Sequence, residues 1–322
     1  MTGTTAIDLR TGKSLVSDEL FDSTARPVTF LELEITGNCQ LTCPSHCYAQ
    51  AGPTQGHGTM TDEDWKKVIH DAATFGVNHV QFIGGEPTRR PGWEHLLRFA
   101  LDLGLTVQLY SNLYRIKEEW WELLTHPKVT LATSYYSDQA EEHDRVTGRT
   151  GSHAKTRANI TEAVRRHIPI KVGIVDILDG QRIDAARADL ESLGVTEIQT
   201  DRVRGVGNAT KVLPSVSELC GNCANGRAAV MPDGTVTPCV LGRFLPAGSV
   251  KTESLAGVLS GSQWAKVAAS IPRRTPACAP DSCTPKEDSC QPSPGMTGAC
   301  TPADSNDCDP SRTPACNPKY DS

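Results

Sequence analysis

The chain has 322 residues, a formal net charge of −6 and 12 cysteines. That length fits two domains, or one barrel with an appendix, and allows a sizeable core. The acidic balance argues against nucleic acid or an acidic membrane surface as a partner, and no apolar run approaches the roughly 18 residues of a membrane span.

Residues 1–27 are polar and weakly patterned, and the first 18 lack the apolar centre of a secretory signal. We therefore expect a cytoplasmic chain, in which thiols stay reduced and clustered cysteines bind metal rather than pair. Residues 28–35, VTFLELEI, form a strand candidate that runs into residues 36–48, TGNCQLTCPSHCY. Residues 52–60 read as a connection. Asp62–Phe75 reads as a helix, because Trp65, Val68, Ile69 and Ala72 fall on one face behind a Thr61 or Asp62 cap. His79–Ile83 is a short strand ending in Gly84-Gly85-Glu86-Pro87. Trp93, Leu96, Leu97, Ala100 and Leu101 make the next helical stripe, closed by Gly104. The pattern continues with a strand over 105–109, a helix over 116–124 and a strand over 129–133. A polar loop follows over 137–152, then a helix over 154–166, a strand over 170–176, a helix over 183–193 and a sixth strand over 197–201.

Strand and helix alternate with a repeat of about thirty residues. Such alternation predicts an α/β fold with a parallel sheet and outer helices. Six strands rather than eight predict a partial, TIM-like (β/α)6 barrel over residues 28–201, with one side open to a large substrate. The chemistry-bearing residues cluster at strand ends, where such folds place their sites. Residues 202–215 read as a linker, 216–272 as a small cysteine-bearing module, and 273–322 as a tail with nine prolines and six cysteines. Each tail cysteine, Cys278, Cys283, Cys290, Cys300, Cys308 and Cys316, is followed two positions later by proline. The tail has too few large apolar side chains to offset its ordering entropy. It is either a metal-binding array or a low-complexity tail with reactive thiols.

Cys39, Cys43 and Cys47 bring three sulfurs into one small volume. Three thiolates can hold three irons of a [4Fe–4S] cluster and leave the fourth open. A zinc knuckle or three unrelated buried cysteines are the alternatives, although structural zinc sites usually take four protein ligands. The two glycines at 84 and 85 allow close approach of a ligand to the backbone, and the Glu86 carboxylate could pair with an ammonium group.

The triplet, the aromatic Tyr48 after it and the Gly84-Gly85-Glu86-Pro87 stretch together resemble the radical S-adenosylmethionine superfamily. The resemblance implies that Cys39, Cys43 and Cys47 hold a catalytic [4Fe–4S] cluster. It implies that S-adenosylmethionine chelates the open iron, with its amino group at Gly84, Gly85, Glu86 and Pro87. It further places Tyr48 near the adenine, Ser111 and Asn112 at the ribose, and Ser134 at the cofactor carboxylate. The implied reaction is reductive cleavage of the cofactor to a 5′-deoxyadenosyl radical, which removes hydrogen from an unactivated carbon. Two features depart from the family pattern. The cysteine spacing is three and three rather than three and two, with Ser45 as the extra residue, which leaves the place of His46 open. Thr147 stands where some relatives carry a carboxylate-binding arginine, and Arg145 or Arg149 could substitute.

Cys220-Gly-Asn-Cys223 followed by Gly234-Thr-Val-Thr-Pro-Cys239 resembles the SPASM or shorter twitch extension that carries auxiliary clusters in peptide-modifying members. The stretch His143-Asp-Arg-Val-Thr-Gly148, with Gly151-Ser after it, resembles the same subgroup. A zinc ribbon is the alternative for Cys220, Cys223 and Cys239. The tail cysteines are further auxiliary ligands without an assigned order. Asp138, Asp176 and Asp201, at or just beyond strand ends, are candidate proton acceptors, though each also fits a capping or salt-bridged carboxylate.

The expected substrate is a ribosomally made precursor peptide, to be crosslinked, epimerised or otherwise altered. Residues before 28 leave no room for a peptide-recognition domain, so a separate recognition protein or direct leader capture is expected. The electron donor would be a flavodoxin or ferredoxin. The same chemistry on a small metabolite, such as a sugar or antibiotic precursor, is the rival enzyme reading. An iron–sulfur or metal scaffold is the non-enzyme reading.

Overall fold

The computed structural model describes residues 26–273, so Cys278, Cys283, Cys290, Cys300, Cys308 and Cys316 lie outside the described residues. Six parallel strands follow one another in chain order: β1 (Phe30–Glu34), β2 (His79–Ile83), β3 (Thr106–Tyr110), β4 (Val129–Ser134), β5 (Ile170–Asp176) and β6 (Glu197–Arg202). The connecting helices are α1 (Asp62–Phe75), α2 (Trp93–Asp102), α3 (Glu118–Leu124), α4 (Ala140–Thr147), α5 (Ser152–Arg165) and α6 (Ile183–Ser192).

Local sequence explains these elements. Thr61 and Asp64 close a reciprocal cap on α1, and Gly76 ends that helix with a left-handed φ of 102°. The face between them buries Trp65, Val68, Ile69 and Ala72. Leu31 and Leu33 of β1 join the same apolar core. Each such side chain contributes roughly 1.5–3 kcal/mol through burial. The alternate β1 residues, Glu32 and Glu34, project to the other face and are also buried.

The structure differs from the sequence-based expectation in three places. Residues 137–152 are not simply a loop, because they contain α4, a helix of charged residues that buries only His143, Val146 and Thr147. The following helix starts at Ser152 rather than 154. The cysteine-bearing module also shares the main sheet instead of standing beside it. Its strand β7 (Arg227–Val230) pairs in parallel with β1. The antiparallel strands β8 (Thr235–Thr237) and β9 (Gly248–Ser249) extend the sheet further. The resulting strand order is β6-β5-β4-β3-β2-β1-β7-β8-β9. Two short helices, α7 (Leu255–Ser260) and α8 (Ser262–Ser270), close the module, with α7 packed on α1. Among the described residues no helix is long and apolar enough to cross a membrane.

Candidate active site

At the C-terminal ends of the strands lies a cavity with about 1450 Å³ of free space, partly open to solvent. Cys39, Cys43 and Cys47 line it, together with Gly84, Gly85 and Tyr48. Cys220 and Cys239 of the C-terminal module line the same cavity.

The cysteine loop is held from several sides. Leu41 N–H donates to Cys39 Sγ at 3.3 Å, and Ala51 N–H donates to Cys47 Sγ at 3.3 Å. The Thr147 carbonyl accepts from the N–H groups of Thr42 and Cys43. From the linker, Asn208 donates its N–H to the Cys47 carbonyl and its Nδ2 to the Cys43 carbonyl, at 2.9 and 3.1 Å. Cys43 adopts a left-handed φ of 40°, an uncommon backbone state for a residue with a side chain. Burial pushes the Cys39 thiol up to about 12, and raises the thiols of Cys43 and Cys47 as well.

Gly84 and Gly85 form the adjoining wall. A Cβ on Gly84 would lie 2.4 Å from the Thr36 carbonyl oxygen, and one on Gly85 would lie 2.4 Å from the Asn38 carbonyl oxygen. The Gly85 and Glu86 N–H groups donate to those same two oxygens. The absent side chains therefore let the β2 turn sit directly against the cysteine loop.

Glu86 does not reach the cavity. Its buried carboxylate accepts from Thr88 Oγ1 and N–H, Ser111 Oγ and Asn112 N–H. It ties the β2 turn to the β3 turn. Pro87 opens the short turn behind it, and Ser111 is buried as a partner of Glu86. Asn112, by contrast, lines the cavity and sets Nδ2 3.5 Å from Cys39 Sγ. Ser134 also lines it, within hydrogen-bonding distance of the Tyr110 hydroxyl at 3.0 Å.

The three candidate acids separate. Asp138 is held by Arg182 in a two-point ion pair at 2.8 Å, which depresses its carboxyl well below the usual range, and it does not line the cavity. Asp176, the last residue of β5, is exposed and does not line the cavity either. Their assignment as cavity-facing acids is corrected on those grounds. Asp201 does line the cavity, with both oxygens accepting from Arg204. Thr147 faces the cavity, whereas Arg145 and Arg149 are exposed and outside its lining.

Several lining residues were not assigned a role from sequence. His46 Nε2 lies 2.9 Å from the Tyr136 hydroxyl, and its buried Nδ1 has no protein partner. Burial lowers the His46 imidazole to about 4, so it stays neutral. Behind the lining, Arg243 places its guanidinium 5.9 Å from the ring centre of the lining residue Tyr48 and pairs with Glu34 at 3.0 Å. Its position just past Cys239 is the only sequence cue to this contact.

In the module, Cys223 and Cys239 bring their sulfurs to 2.7 Å, and hydrogen bonds from Cys220 and Cys239 raise the Cys223 thiol far above its ordinary value. Gly242 N–H donates to Cys239 Sγ at 3.2 Å. Among the described residues, no three cysteine, histidine or carboxylate groups converge as they would around a single ion. Ligands to different irons of a cubane cluster do not share one ion's centre. Sulfurs spread around a cavity, with backbone N–H groups aimed at three of them, fit a cluster.

Comparison with known proteins agrees with this arrangement. The sequence model of the Radical SAM superfamily matches residues 33–192, and that of the SPASM iron–sulfur cluster-binding domain matches residues 220–284. The chain is 33% identical over 124 residues to the PqqA peptide cyclase of Rhodopseudomonas palustris, covering 38% of this chain and 33% of that one. It is 25% identical over 262 residues to the sporulation killing factor maturation protein SkfB of Bacillus subtilis, covering 70% of this chain and 63% of SkfB. The chain thus spans between a third and two thirds of the length of these relatives. Its fold is similar to that of Streptococcus suis SuiB bound to the precursor peptide SuiA, with a TM-score of 0.63 at 14% identity over 75% of this chain and 67% of SuiB. The chain belongs to the radical SAM superfamily and carries a SPASM iron–sulfur cluster-binding domain.

Proposed function

We propose that this protein is a radical S-adenosylmethionine enzyme that modifies an unactivated carbon of a ribosomally made precursor peptide. The superfamily's cofactors are a [4Fe–4S] cluster and S-adenosylmethionine, and the SPASM domain adds auxiliary iron–sulfur binding. The observation that carries the reading is the shared cavity. Three closely spaced thiols and two bare glycines adjoin at the mouths of β1 and β2, and two module thiols line the same space. A scaffold for metal storage has no need of the glycine wall. The names of the relatives, a peptide cyclase and a peptide-maturation protein, support a peptide as substrate.

In this reading Cys39, Cys43 and Cys47 hold the catalytic cluster, and Cys220, Cys223 and Cys239 hold an auxiliary one. When bound, the catalytic cluster and S-adenosylmethionine supply a 5′-deoxyadenosyl radical that takes hydrogen from carbon. The protein's own part is positioning and exclusion of water. Gly84 and Gly85 let the cofactor's polar end meet backbone rather than side chains. Asn112 and Ser134 offer polar contacts on the neighbouring strand ends. Tyr48, Leu41 and Val240 give the cavity an apolar wall. Of the three candidate acids Asp201, fixed by Arg204, is the one in position to accept a proton. A cytoplasmic location, a separate peptide-recognition protein and a flavodoxin or ferredoxin donor complete the proposal.

The test is incubation of the anaerobically reconstituted protein with S-adenosylmethionine, reductant and a synthetic precursor peptide encoded beside its gene. The expected result is a change in peptide mass that depends on the cofactor. An unchanged peptide alongside turnover of a sugar or antibiotic precursor would replace the peptide reading with the small-metabolite one.

A further inference from the structure

Two exposed arginines bracket Cys39. Arg89 donates its Nε to the side chain of Asn38, the residue before it, and Arg149 donates to the carbonyl of Gln40, the residue after it, at 3.0 Å. The same Arg149 stacks over the ring of Tyr114 at 4.6 Å, and Lys155 stacks over that ring at 4.5 Å. Arg115, next in the chain, is exposed as well. Among the described residues none of these four cations has an ion-pair partner, whereas other surface cations, Lys66, Lys67, Arg165 and Arg182 among them, do. An unneutralised positive patch on a chain of net charge −6 therefore sits at the cysteine loop.

Beneath the patch runs a short connection to sulfur. Tyr114 packs against the cluster formed by Cys39, Leu41 and Ala51, along with Cys43 and Cys47. Its N–H donates to Asn112 Oδ1 at 2.9 Å, and Asn112 Nδ2 donates to Cys39 Sγ at 3.5 Å. Tyr114 is thus a partly exposed aromatic side chain, flanked by cations and two hydrogen bonds from a cluster-ligand candidate.

We propose that the Tyr114 surface, framed by Arg89, Arg115, Arg149 and Lys155, is where an acidic one-electron carrier protein docks to reduce the catalytic cluster. The inference rests on the radical reading above and adds the place of electron entry. Electron transfer falls off steeply with distance, so a donor must seat close to the cysteine loop. The cavity side is needed for cofactor and substrate, which leaves the outer side of the loop. Opposite charge steers the encounter and fixes its orientation. One electron leaves the donor and the cluster gains it; no proton or other atom changes hands.

The experiment compares two reductants on the reconstituted full chain: a reduced bacterial flavodoxin, which is acidic, and light-reduced deazaflavin, a small molecule that needs no docking surface. Cluster reduction is followed by electron paramagnetic resonance, and flavodoxin binding by calorimetry. The Arg115→Glu/Lys155→Glu variant is expected to weaken binding and slow flavodoxin-driven reduction by about tenfold or more at low salt. Its deazaflavin-driven reduction should be unchanged, and Arg115→Gln/Lys155→Gln should fall between. Wild-type affinity for flavodoxin should decline as salt rises. Flavodoxin affinity indifferent to both salt and these charges overturns the proposal. So does a variant that loses affinity for an acidic precursor peptide while keeping flavodoxin-driven reduction. The wild-type salt series decides the matter if the variants do not fold. Absence of 5′-deoxyadenosine from wild type under deazaflavin overturns the radical reading itself, a result distinct from either docking outcome.

Discussion

Gly84 and Gly85 show how much of the site depends on atoms that are missing. Either Cβ would come within 2.4 Å of a carbonyl oxygen in the chain segment leading to Cys39, and backbone on both sides leaves no flexible group to give way. Gly85→Ala should therefore cost about 2 kcal/mol or more and displace the cysteine loop. A lower thermal midpoint and lost iron retention after reconstitution are the expected readings. An alanine variant with wild-type midpoint and iron content would contradict the close packing described above. Sequence alone revealed the glycines and cysteines, because their chemistry is local. It did not reveal that Glu86 faces inward, because its partners Ser111 and Asn112 come from the next strand end. Asp138 was misread for the same reason: Arg182, which neutralises it, lies 44 positions further along the chain.

Among the elements, β1 carries the least ordinary feature. Glu32 and Glu34, both 1% exposed, project to the inner face of the sheet. Glu32 lies 3.4 Å from Arg227 of β7 and accepts from Val240 N–H, while Glu34 pairs with Arg243. These contacts join the first barrel strand to the module that carries Cys239. Burial raises the Glu34 carboxyl, Arg243 works against that rise, and Asp233 adds to it. Removing the arginine leaves a buried carboxylate without its partner, which costs roughly 3–5 kcal/mol. Arg243→Met should accordingly destabilise the fold by about 3 kcal/mol, and Glu34→Gln/Arg243→Met should recover part of the loss. The loss should also deepen as pH rises. A carboxyl whose folded pKa exceeds its unfolded value holds its proton longer when folded, so stability falls between the two values. Denaturant titrations of both variants at several pH values check this. A single-variant loss that is independent of pH and unrelieved in the double variant would contradict it. The pairing of β7 with β1 was not legible in the sequence, since RAAV is short and its partner strand lies almost two hundred residues away. Helix α4 escaped for a different reason: its residues are mostly charged and leave no apolar stripe to read.

For the whole molecule, the order of the first six strands was legible, because alternation of strand and helix leaves few ways to wind a parallel sheet. The α/β class and the mouth of the sheet as the site followed from the same alternation. What joined the two halves was not legible. A linker residue, Asn208, secures the cysteine loop, and the module strands continue the barrel sheet. One consequence is that Cys220 and Cys239 face the cavity of Cys39, Cys43 and Cys47 rather than a separate site. The two cysteine groups should therefore be separable by mutation even though they share one space. Anaerobic reconstitution followed by iron and sulfide counting, with 5′-deoxyadenosine measured after adding S-adenosylmethionine and reductant, tests this most directly. Against wild type, Cys39→Ala/Cys43→Ala/Cys47→Ala should lose about four irons and all cofactor cleavage, while keeping the iron held by the later cysteines. A triple variant that retains the wild-type iron count, or that still releases 5′-deoxyadenosine, would contradict the account.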